Sequence, residues 1–325
     1  MRPRINVATA LNSHYVRYTY VMLTSLFVNQ TEADIHVYLL HSDLSESDQE
    51  CLQSLVRSYG NNVHFLPIGR ESFPAELPTT QQWSLETYYR LLLLDILPDE
   101  VDRLLYLDVD MIINKPIVEL YQTDFEDAYF CACRDMTVNF PMSDARDEIF
   151  KDHIAAGFTY VNAGLMLWNV AALRGKYSFK DYMDLAGKLE YKMRAPDQDL
   201  LNYLHWNQIK LVDEYRYDLF SKKAYNDGFR YEQVKNETTI IHYAGMKPWE
   251  GQYVHYDIEK LWWDYAKQTP FYTELMEEFV RDCVGDPLVY NTMTSLSEEK
   301  QKLVAELQKS TELCKHLLQI LEKNT

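Results

Sequence analysis

Apolar and polar residues follow one another near the start of the chain in a pattern that predicts strands separated by helices. Short apolar runs at 5–11, 35–40 and 63–68 have the length and composition of buried strands. Segment 15–28 carries apolar residues at helical spacing, and a second helix is predicted after Ser45, a residue type that caps helices. Strands joined by helices favour an α/β fold with a mostly parallel central sheet and right-handed crossovers.

The same alternation continues and then gives way to a helical tail. The later predicted elements are strands before Asp108 and at 129–134, 160–170, 209–212 and 239–241, and one helix from about 171 to 190. Residues 136–158 are predicted to form a long loop or lid beside the active site. From 294 onward, leucines among balanced Lys and Glu predict an amphipathic helix that packs on the domain or pairs with a second copy. We therefore predict one large domain over 1–265 and a helical extension over 266–325.

The net charge and the lengths of the apolar segments indicate which binding partners and which cellular location to expect. The 325 residues carry a formal net charge of −17, so the average field repels polyanions and argues against nucleic acid as a partner. The opening Met1–Arg4 leads into an apolar strand without the long apolar segment of a signal peptide. No stretch is long and apolar enough for a transmembrane helix. We therefore expect a cytoplasmic protein, soluble or peripheral at the inner membrane face.

Two carboxylates stand at the end of the most apolar predicted strand. Asp108 and Asp110 flank Val109, and alternate side chains of an extended chain point to the same side. Such hard oxygen ligands suit Mg²⁺ or Mn²⁺, together with ligands from a substrate such as a diphosphate. The alternative is a chance pair on a solvated loop. The position after a core strand favours the metal site, because ligands of open α/β sheets collect at the carboxyl ends of strands.

One arginine and three further segments each allow a structural and a functional interpretation. Arg90 lies in a predicted helix, where an arginine is usually solvated. The small residues of Asn162–Gly164 permit close backbone approach or form a bulge. Asp197–Asp199 caps a helix or holds sugar hydroxyl groups. His242–Trp249 follows a short strand and, with its Gly, Lys and Pro, is a plain turn or a functional loop.

Six motifs taken together resemble the retaining glycosyltransferases of family 8, the group of the bacterial lipopolysaccharide α-galactosyltransferases and glycogenin. The resemblance runs from Ile5 to about Trp249. In chain order, the motifs that carry it are Leu23–Leu26, Tyr88–Leu91, Leu105–Asp110, Asn162–Gly164, Asp197–Asp199 and His242–Trp249. Any one of them is common, whereas all six in this order are specific.

The resemblance implies a GT-A fold, a UDP-hexose donor, and Mn²⁺ or Mg²⁺ held by Asp108, Asp110 and His242. The residues that it implies for nucleotide-sugar binding are Ala10, Asn12, Tyr15, Arg90, Asp108, Val109, Asp110, Asn162, Ala163, Gly164, Gly245 and Lys247. Around the transferred sugar and the reacting bond it implies Asp135, Asp197, Gln198 and Lys247. As a ligand, His242 needs a partner for its other ring nitrogen, and the sequence names none.

Two positions depart from the family pattern. Acidic residues commonly follow the family's first strand and meet the uracil, whereas this chain has Leu11, Asn12 and Ser13. The Asn12 amide has both a donor and an acceptor with which it could replace them. One residue, Met246, separates Gly245 from Lys247, where the family has two.

We therefore predict transfer of galactose or glucose from a UDP-sugar to a hydroxyl of a glycan or glycolipid, as in cell-surface glycan synthesis, with retention at the anomeric carbon. The position near the far face of the sugar is Gln198, a poor nucleophile, which favours a front-face route with Asp135 and Asp197 holding the sugar. The alternatives are a nucleotidyltransferase, which usually has a Gly-rich basic loop that Asn12–His14 does not supply, and a UDP-sugar-binding protein without turnover.

Overall fold

The computed structural model describes residues 2–74, 77, 85–251, 255–285 and 287–323. The chain forms two compact units. Met1–Lys247 and His255–Phe271 make up the larger, and Pro248–Val254 and Tyr272–Thr325 make up the smaller.

Two β-sheets organise the larger unit. Their strands are β1 (Arg4–Ala10), β2 (Asp34–His41), β3 (Asn62–Pro67), β4 (Leu104–Leu107), β5 (Met111–Ile113), β6 (Phe130–Arg134), β7 (Val161–Trp168), β8 (Ile209–Val212), β9 (Leu219–Phe220) and β10 (Ile240–His242). Seven form one sheet in the order β3-β2-β1-β4-β7-β6-β8, and three form another in the order β5-β10-β9. In the larger sheet β7 runs antiparallel to β4 and β6, and the other described pairs are parallel. The predicted mostly parallel sheet is confirmed, while the second sheet was not predicted.

Helices cover the larger sheet and make up the smaller unit. Their bounds are α1 (Val16–Asn29), α2 (Glu46–Ser58), α3 (Leu93–Ile96), α4 (Val118–Tyr121), α5 (Ala145–Ile149), α6 (Lys151–Ala155), α7 (Val170–Leu173), α8 (Phe179–Lys188), α9 (Pro196–His205), α10 (Glu214–Tyr217), α11 (Ser221–Asn226), α12 (Tyr231–Glu237), α13 (Lys260–Ala266), α14 (Tyr272–Gly285) and α15 (Pro287–Lys323).

The single helix predicted from about 171 to 190 is wrong. The chain leaves α7 through Gly175, whose φ of 76° is left-handed and suits glycine. Ser178 then starts α8 with a capping box, in which Asp181 accepts from the Ser178 backbone N–H and hydroxyl. A strong local start signal inside an apolar pattern therefore divides one predicted helix into two.

The larger sheet is buried on both faces. Successive residues of a strand point to opposite faces, so Val37 and Leu105 pack into one apolar cluster while Tyr38 and Tyr106 pack into the other. Covering both faces is typical of sheets with parallel strands joined by helices. Ligands of such sheets bind at the carboxyl ends of the strands.

The buried side chain of His205 is expected to make the folded protein less stable in mild acid. Its ring lies 3.0 Å from the Tyr182 hydroxyl, and burial lowers its pKa from 6.5 to about 3. The unfolded chain therefore binds this proton first as the pH falls, and stability is lost from about pH 6.5 down to about pH 3. The free energy of unfolding of wild type should fall between roughly pH 7 and pH 5. About 2 kcal/mol of that fall should be absent in His205→Gln, as measured by urea unfolding. Equal pH slopes in the two proteins would contradict this assignment.

The smaller unit contains the long helix α15, which bears exposed leucines. Leu296, Leu303 and Leu307 are each at least 60% exposed. Self-association through this helix stays a prediction. No helix among the described residues has the length and apolar content needed to cross a bilayer.

Candidate active site

A cavity of about 560 Å³ opens at the carboxyl edge of the larger sheet. The predicted site residues that line it are Ala10, Asn12, Tyr15, Arg90, Asp108, Val109, Asp110, Asp135, Asn162, Gly164, Asp197, Gln198, His242, Gly245 and Lys247. Ala163 contributes its backbone to the hydrogen bonds beside the cavity. Glu86, Thr137 and Phe220 also line it, and no sequence pattern had indicated them.

The reversed direction of β7 explains why Asn162–Gly164 reaches this edge. A strand that runs antiparallel to its neighbours begins where they end, so the start of β7 lies beside the turn that follows β4. The Asp108 backbone N–H donates to the Gly164 carbonyl at 2.8 Å. The Asn162 side-chain oxygen in turn accepts from the Gly164 N–H at 2.8 Å.

Three potential metal ligands meet at one point of the cavity. Asp108, Asp110 and His242 each offer a ligand atom, and these atoms all lie within 4.8 Å of one another. The second sheet brings the histidine there: His242 of β10 pairs with Met111 of β5, the residue after Asp110. His242 Nε2 lies 3.3 Å from Asp110 Oδ1. Two carboxylate oxygens and an imidazole nitrogen form a donor set that fits a divalent metal ion.

Gly164 leaves the space in which this cluster assembles. A Cβ atom on Gly164 would lie 2.6 Å from Asp108 Oδ2, 2.7 Å from Asn162 Oδ1 and 2.7 Å from His242 Cε1. Side chains do not tolerate such contacts without moving. Both predicted features of the Asn162–Gly164 motif are present: other groups approach its backbone closely, and the register between β6 and β7 shifts beside it, between Ala132 and Arg134.

Asp218 supplies the missing partner of His242. Its Oδ1 lies 2.8 Å from His242 Nδ1, and both side chains are buried. Burial alone would lower the pKa of His242, but Asp110 and Asp218 raise it to about 10. Burial alone would raise the pKa of Asp110, but Lys247 and His242 hold it below its usual range. Asp218 precedes the two-residue strand β9, a signal too short to be found in the sequence.

Asp218→Asn is expected to weaken Mn²⁺ binding about tenfold to a hundredfold, because the ring of His242 loses the carboxylate that orients it and raises its basicity. Titration with Mn²⁺, followed by electron paramagnetic resonance, measures the change. Asp213→Asn is the matched control: Asp213 caps the neighbouring α10 by accepting backbone N–H groups, and its loss should leave Mn²⁺ affinity unchanged. Equal affinities in Asp218→Asn and wild type would contradict the positioning role.

Arg90 is a buried member of the site and not a solvated helical residue. It lies on a 3-10 helical segment, Leu85–Leu92, and is 7% exposed. Its NH2 group donates to Asp108 Oδ1 at 2.9 Å, and its Nε lies 2.9 Å from Asp197 Oδ2. The solvated alternative is therefore wrong for this arginine, which links a candidate metal ligand to a carboxylate of the Asp197–Asp199 motif.

The surroundings of Arg90 keep it charged and fix its plane. Its NH1 group donates to the Ala163 carbonyl at 2.6 Å, and its guanidinium carbon lies 4.4 Å from the centre of the Tyr106 ring. Burial alone would lower the pKa of Arg90, but Asp108 and Asp197 raise it. Burial raises the pKa of Asp197 to about 6, although Arg90 opposes that shift.

Gln198 is held by hydrogen bonds at both ends of its amide. Its Oε1 accepts from Asn162 Nδ2 at 3.1 Å and from the Ala163 N–H at 2.9 Å. Its Nε2 donates to Asp135 Oδ2 at 3.0 Å. Asp199, in contrast, accepts the N–H groups of Arg194 and Ala195 at the start of α9. Within the Asp197–Asp199 motif, Asp197 and Gln198 thus belong to the site, whereas Asp199 binds the backbone at the start of α9.

The two departures from the family pattern have definite positions. Lys247 follows Gly245, whose φ of 88° turns the chain into the cavity, and its ammonium group donates to Asp110 Oδ2. Asn12 Oδ1 accepts from the His14 N–H at 3.1 Å, and its Nδ2 donates to Glu86 Oε1 at 3.3 Å. Asn12 therefore caps the turn after β1, and its side-chain oxygen already accepts one hydrogen bond.

The sequence and the fold are both similar to those of known glycosyltransferases. The model of the family "Glycosyl transferase family 8" matches residues 6–252. A lipopolysaccharide 1,2-glucosyltransferase of Escherichia coli is 25% identical over 255 residues, which cover 76% of this chain and 74% of that protein. A lipopolysaccharide 1,3-galactosyltransferase of Salmonella typhimurium is 24% identical, with 76% of this chain and 73% of that protein covered.

Among solved structures, the galactosyltransferase LgtC in complex with donor and acceptor sugar analogues superposes with a TM-score of 0.67. It is 22% identical, and the match covers 82% of this chain and 96% of that one. At this identity the likeness shows the fold, which confirms the predicted GT-A architecture. Because the family model matches more than half of its length, the chain belongs to glycosyltransferase family 8 and is a glycosyltransferase.

Proposed function

We propose that this enzyme transfers a hexosyl group, galactose or glucose, from a UDP-sugar to a hydroxyl of a glycan or glycolipid acceptor, with a divalent metal and with retention at the anomeric carbon. The observation that carries the proposal is the cluster of Asp108, Asp110 and His242, with Lys247 bound to one of its carboxylates. A metal at these residues, Mn²⁺ or Mg²⁺, would neutralise charge that builds on a departing diphosphate. The lipopolysaccharide hexosyltransferases among its relatives favour the same substrate classes.

The protein's own residues bind and orient the donor. Asp218 orients the ring of His242, and Arg90 holds Asp108 in position while its charge stays next to the cavity. Lys247 adds an ammonium group on the other carboxylate of the cluster. Fixed charges of this kind require no reorganisation when the leaving group forms, which is the main way in which such sites lower a barrier.

Given retention, Gln198, which the family resemblance places near the far face of the sugar, favours one route over the other. Both polar atoms of the Gln198 amide are engaged by neighbours, and an amide is a poor nucleophile. We therefore favour a front-face reaction. The bond from the anomeric carbon to the β-phosphate oxygen breaks, the acceptor oxygen bonds to the carbon on the same face, and the phosphate oxygen takes the acceptor proton. Asp135 and Asp197 orient the sugar.

A screen of nucleotide sugars tests the proposal. The full-length protein is incubated with Mn²⁺ and UDP-glucose, UDP-galactose or another nucleotide sugar, without acceptor. Slow Mn²⁺-dependent release of UDP and free hexose is expected, and the α-anomer of the hexose should appear first in the NMR spectrum. Pyrophosphate release would indicate a nucleotidyltransferase. Metal-dependent UDP binding without turnover of any donor would indicate a binding protein.

A further inference from the structure

One end of the cavity is built from the residues that follow β1 and from the Leu85–Leu92 segment. Asn12 and Glu86 line it there, next to each other. The strand order β1-β4-β7-β6 puts the metal-ligand turn after β4 between this end and Asp135, which follows β6. If the diphosphate binds at that turn and Asp135 orients the sugar, as the proposed function requires, the base lies at the Asn12 end.

The hydrogen bonds of Asn12 decide what it can offer to a base. Its side-chain oxygen accepts a hydrogen bond from the His14 N–H, and one amide hydrogen is donated to Glu86. One amide hydrogen remains. Asn12 can therefore donate to a carbonyl of a base, and its oxygen, which already accepts one N–H, is a weaker acceptor for a base N–H than a carboxylate.

Glu86 supplies a charged and therefore stronger acceptor at this end of the cavity. Within the described residues, the Asn12 amide is the one donor to its carboxylate, and no Lys, Arg or His forms an ion pair with it. The basic side chains that line the cavity are Arg90, His242 and Lys247, and each contacts a carboxylate of the metal or sugar region. Glu86 is half-buried, so part of its carboxylate remains an acceptor at the cavity wall.

We propose that Glu86 is the residue that selects uracil, by accepting the imide N3–H while the remaining Asn12 N–H donates to an adjacent ring carbonyl. Uracil presents an N–H between two carbonyls and matches this donor–acceptor pair. Cytosine presents an unprotonated N3, whose lone pair is repelled by a carboxylate. A chain without acidic residues directly after its first strand thus obtains the acidic group from a different element.

Binding of UDP and CDP to the full-length protein with Mn²⁺, measured by calorimetry, tests the proposal. Wild type should prefer UDP. In Glu86→Gln, the ratio of UDP to CDP affinity should fall about tenfold to a hundredfold, since the carboxylate–imide bond is lost and the new amide can donate to cytosine N3. N3-methyl-UDP, which lacks the imide hydrogen, should bind wild type weakly and should lose no further affinity in Glu86→Ala.

Asp43→Asn is the matched control. Asp43 binds the backbone and hydroxyl of Ser13 in the same loop, yet it does not line the cavity. This change should preserve the ratio of UDP to CDP affinity, because any effect on the loop acts on both ligands alike. An unchanged ratio in Glu86→Gln, with wild-type thermal stability, overturns the proposal, as does equal binding of UDP and CDP by wild type. Absence of Mn²⁺-dependent UDP binding by wild type would overturn the proposed function as well.

Discussion

Asp110→Asn is expected to lower Mn²⁺-dependent UDP release by about a thousandfold or more, the loss typical of removing a principal stabiliser of transition-state charge. Asp110 is the member of the cluster that contacts both His242 and Lys247. The amide removes the negative charge that attracts the metal and that holds the ammonium group in place. Turnover of the donor identified in the screen, with Mn²⁺ binding by electron paramagnetic resonance, measures the effect.

A surface carboxylate provides the control for Asp110→Asn. Asp184 lies on the exposed side of α8, where it pairs with Lys180, and such pairs contribute little to stability. Asp184→Asn should retain wild-type turnover and Mn²⁺ affinity. A folded Asp110→Asn protein with more than roughly a tenth of wild-type turnover would reject Asp110 as a metal ligand, because losses that small fall far short of those for principal catalytic groups.

Gly164→Ala is expected to reduce turnover about a hundredfold, although the change adds only one methyl group at a buried position. The added Cβ would lie within 2.7 Å of atoms of Asp108, Asn162 and His242, so these side chains must move. Displacing catalytic groups by about 1 Å costs on the order of 100-fold in rate. Mn²⁺ affinity should fall in parallel, since two of the three candidate ligands must move.

The chain offers a matched glycine for comparison. Gly187 lies in α8, is exposed, and would place a Cβ in open space at a φ that other residues adopt. Gly187→Ala should leave turnover unchanged and raise the free energy of unfolding by about 0.5–1 kcal/mol through helix propensity. If Gly164→Ala also kept wild-type turnover, the metal cluster would not lie where the donor reacts.

The elements of the larger sheet were predictable because each is encoded by contiguous residues. Period-two apolar runs of four to eight residues are read directly as strands, and β1, β2 and β3 follow the predicted runs closely. The short strands β5 and β9 have three and two residues, too few to show a period. The break between α7 and α8 was missed because apolar residues continue at helical spacing on both sides of Gly175.

The sequence by itself determined the family, the α/β class and the candidate ligands Asp108, Asp110 and His242, since motifs and periodicity are local properties. Only the tertiary structure decided which distant side chains support them. Asp218 reaches His242 across 24 positions, and Glu86 reaches Asn12 across 74. Such contacts depend on strand order and register, which the packing of the whole chain sets and no short segment encodes.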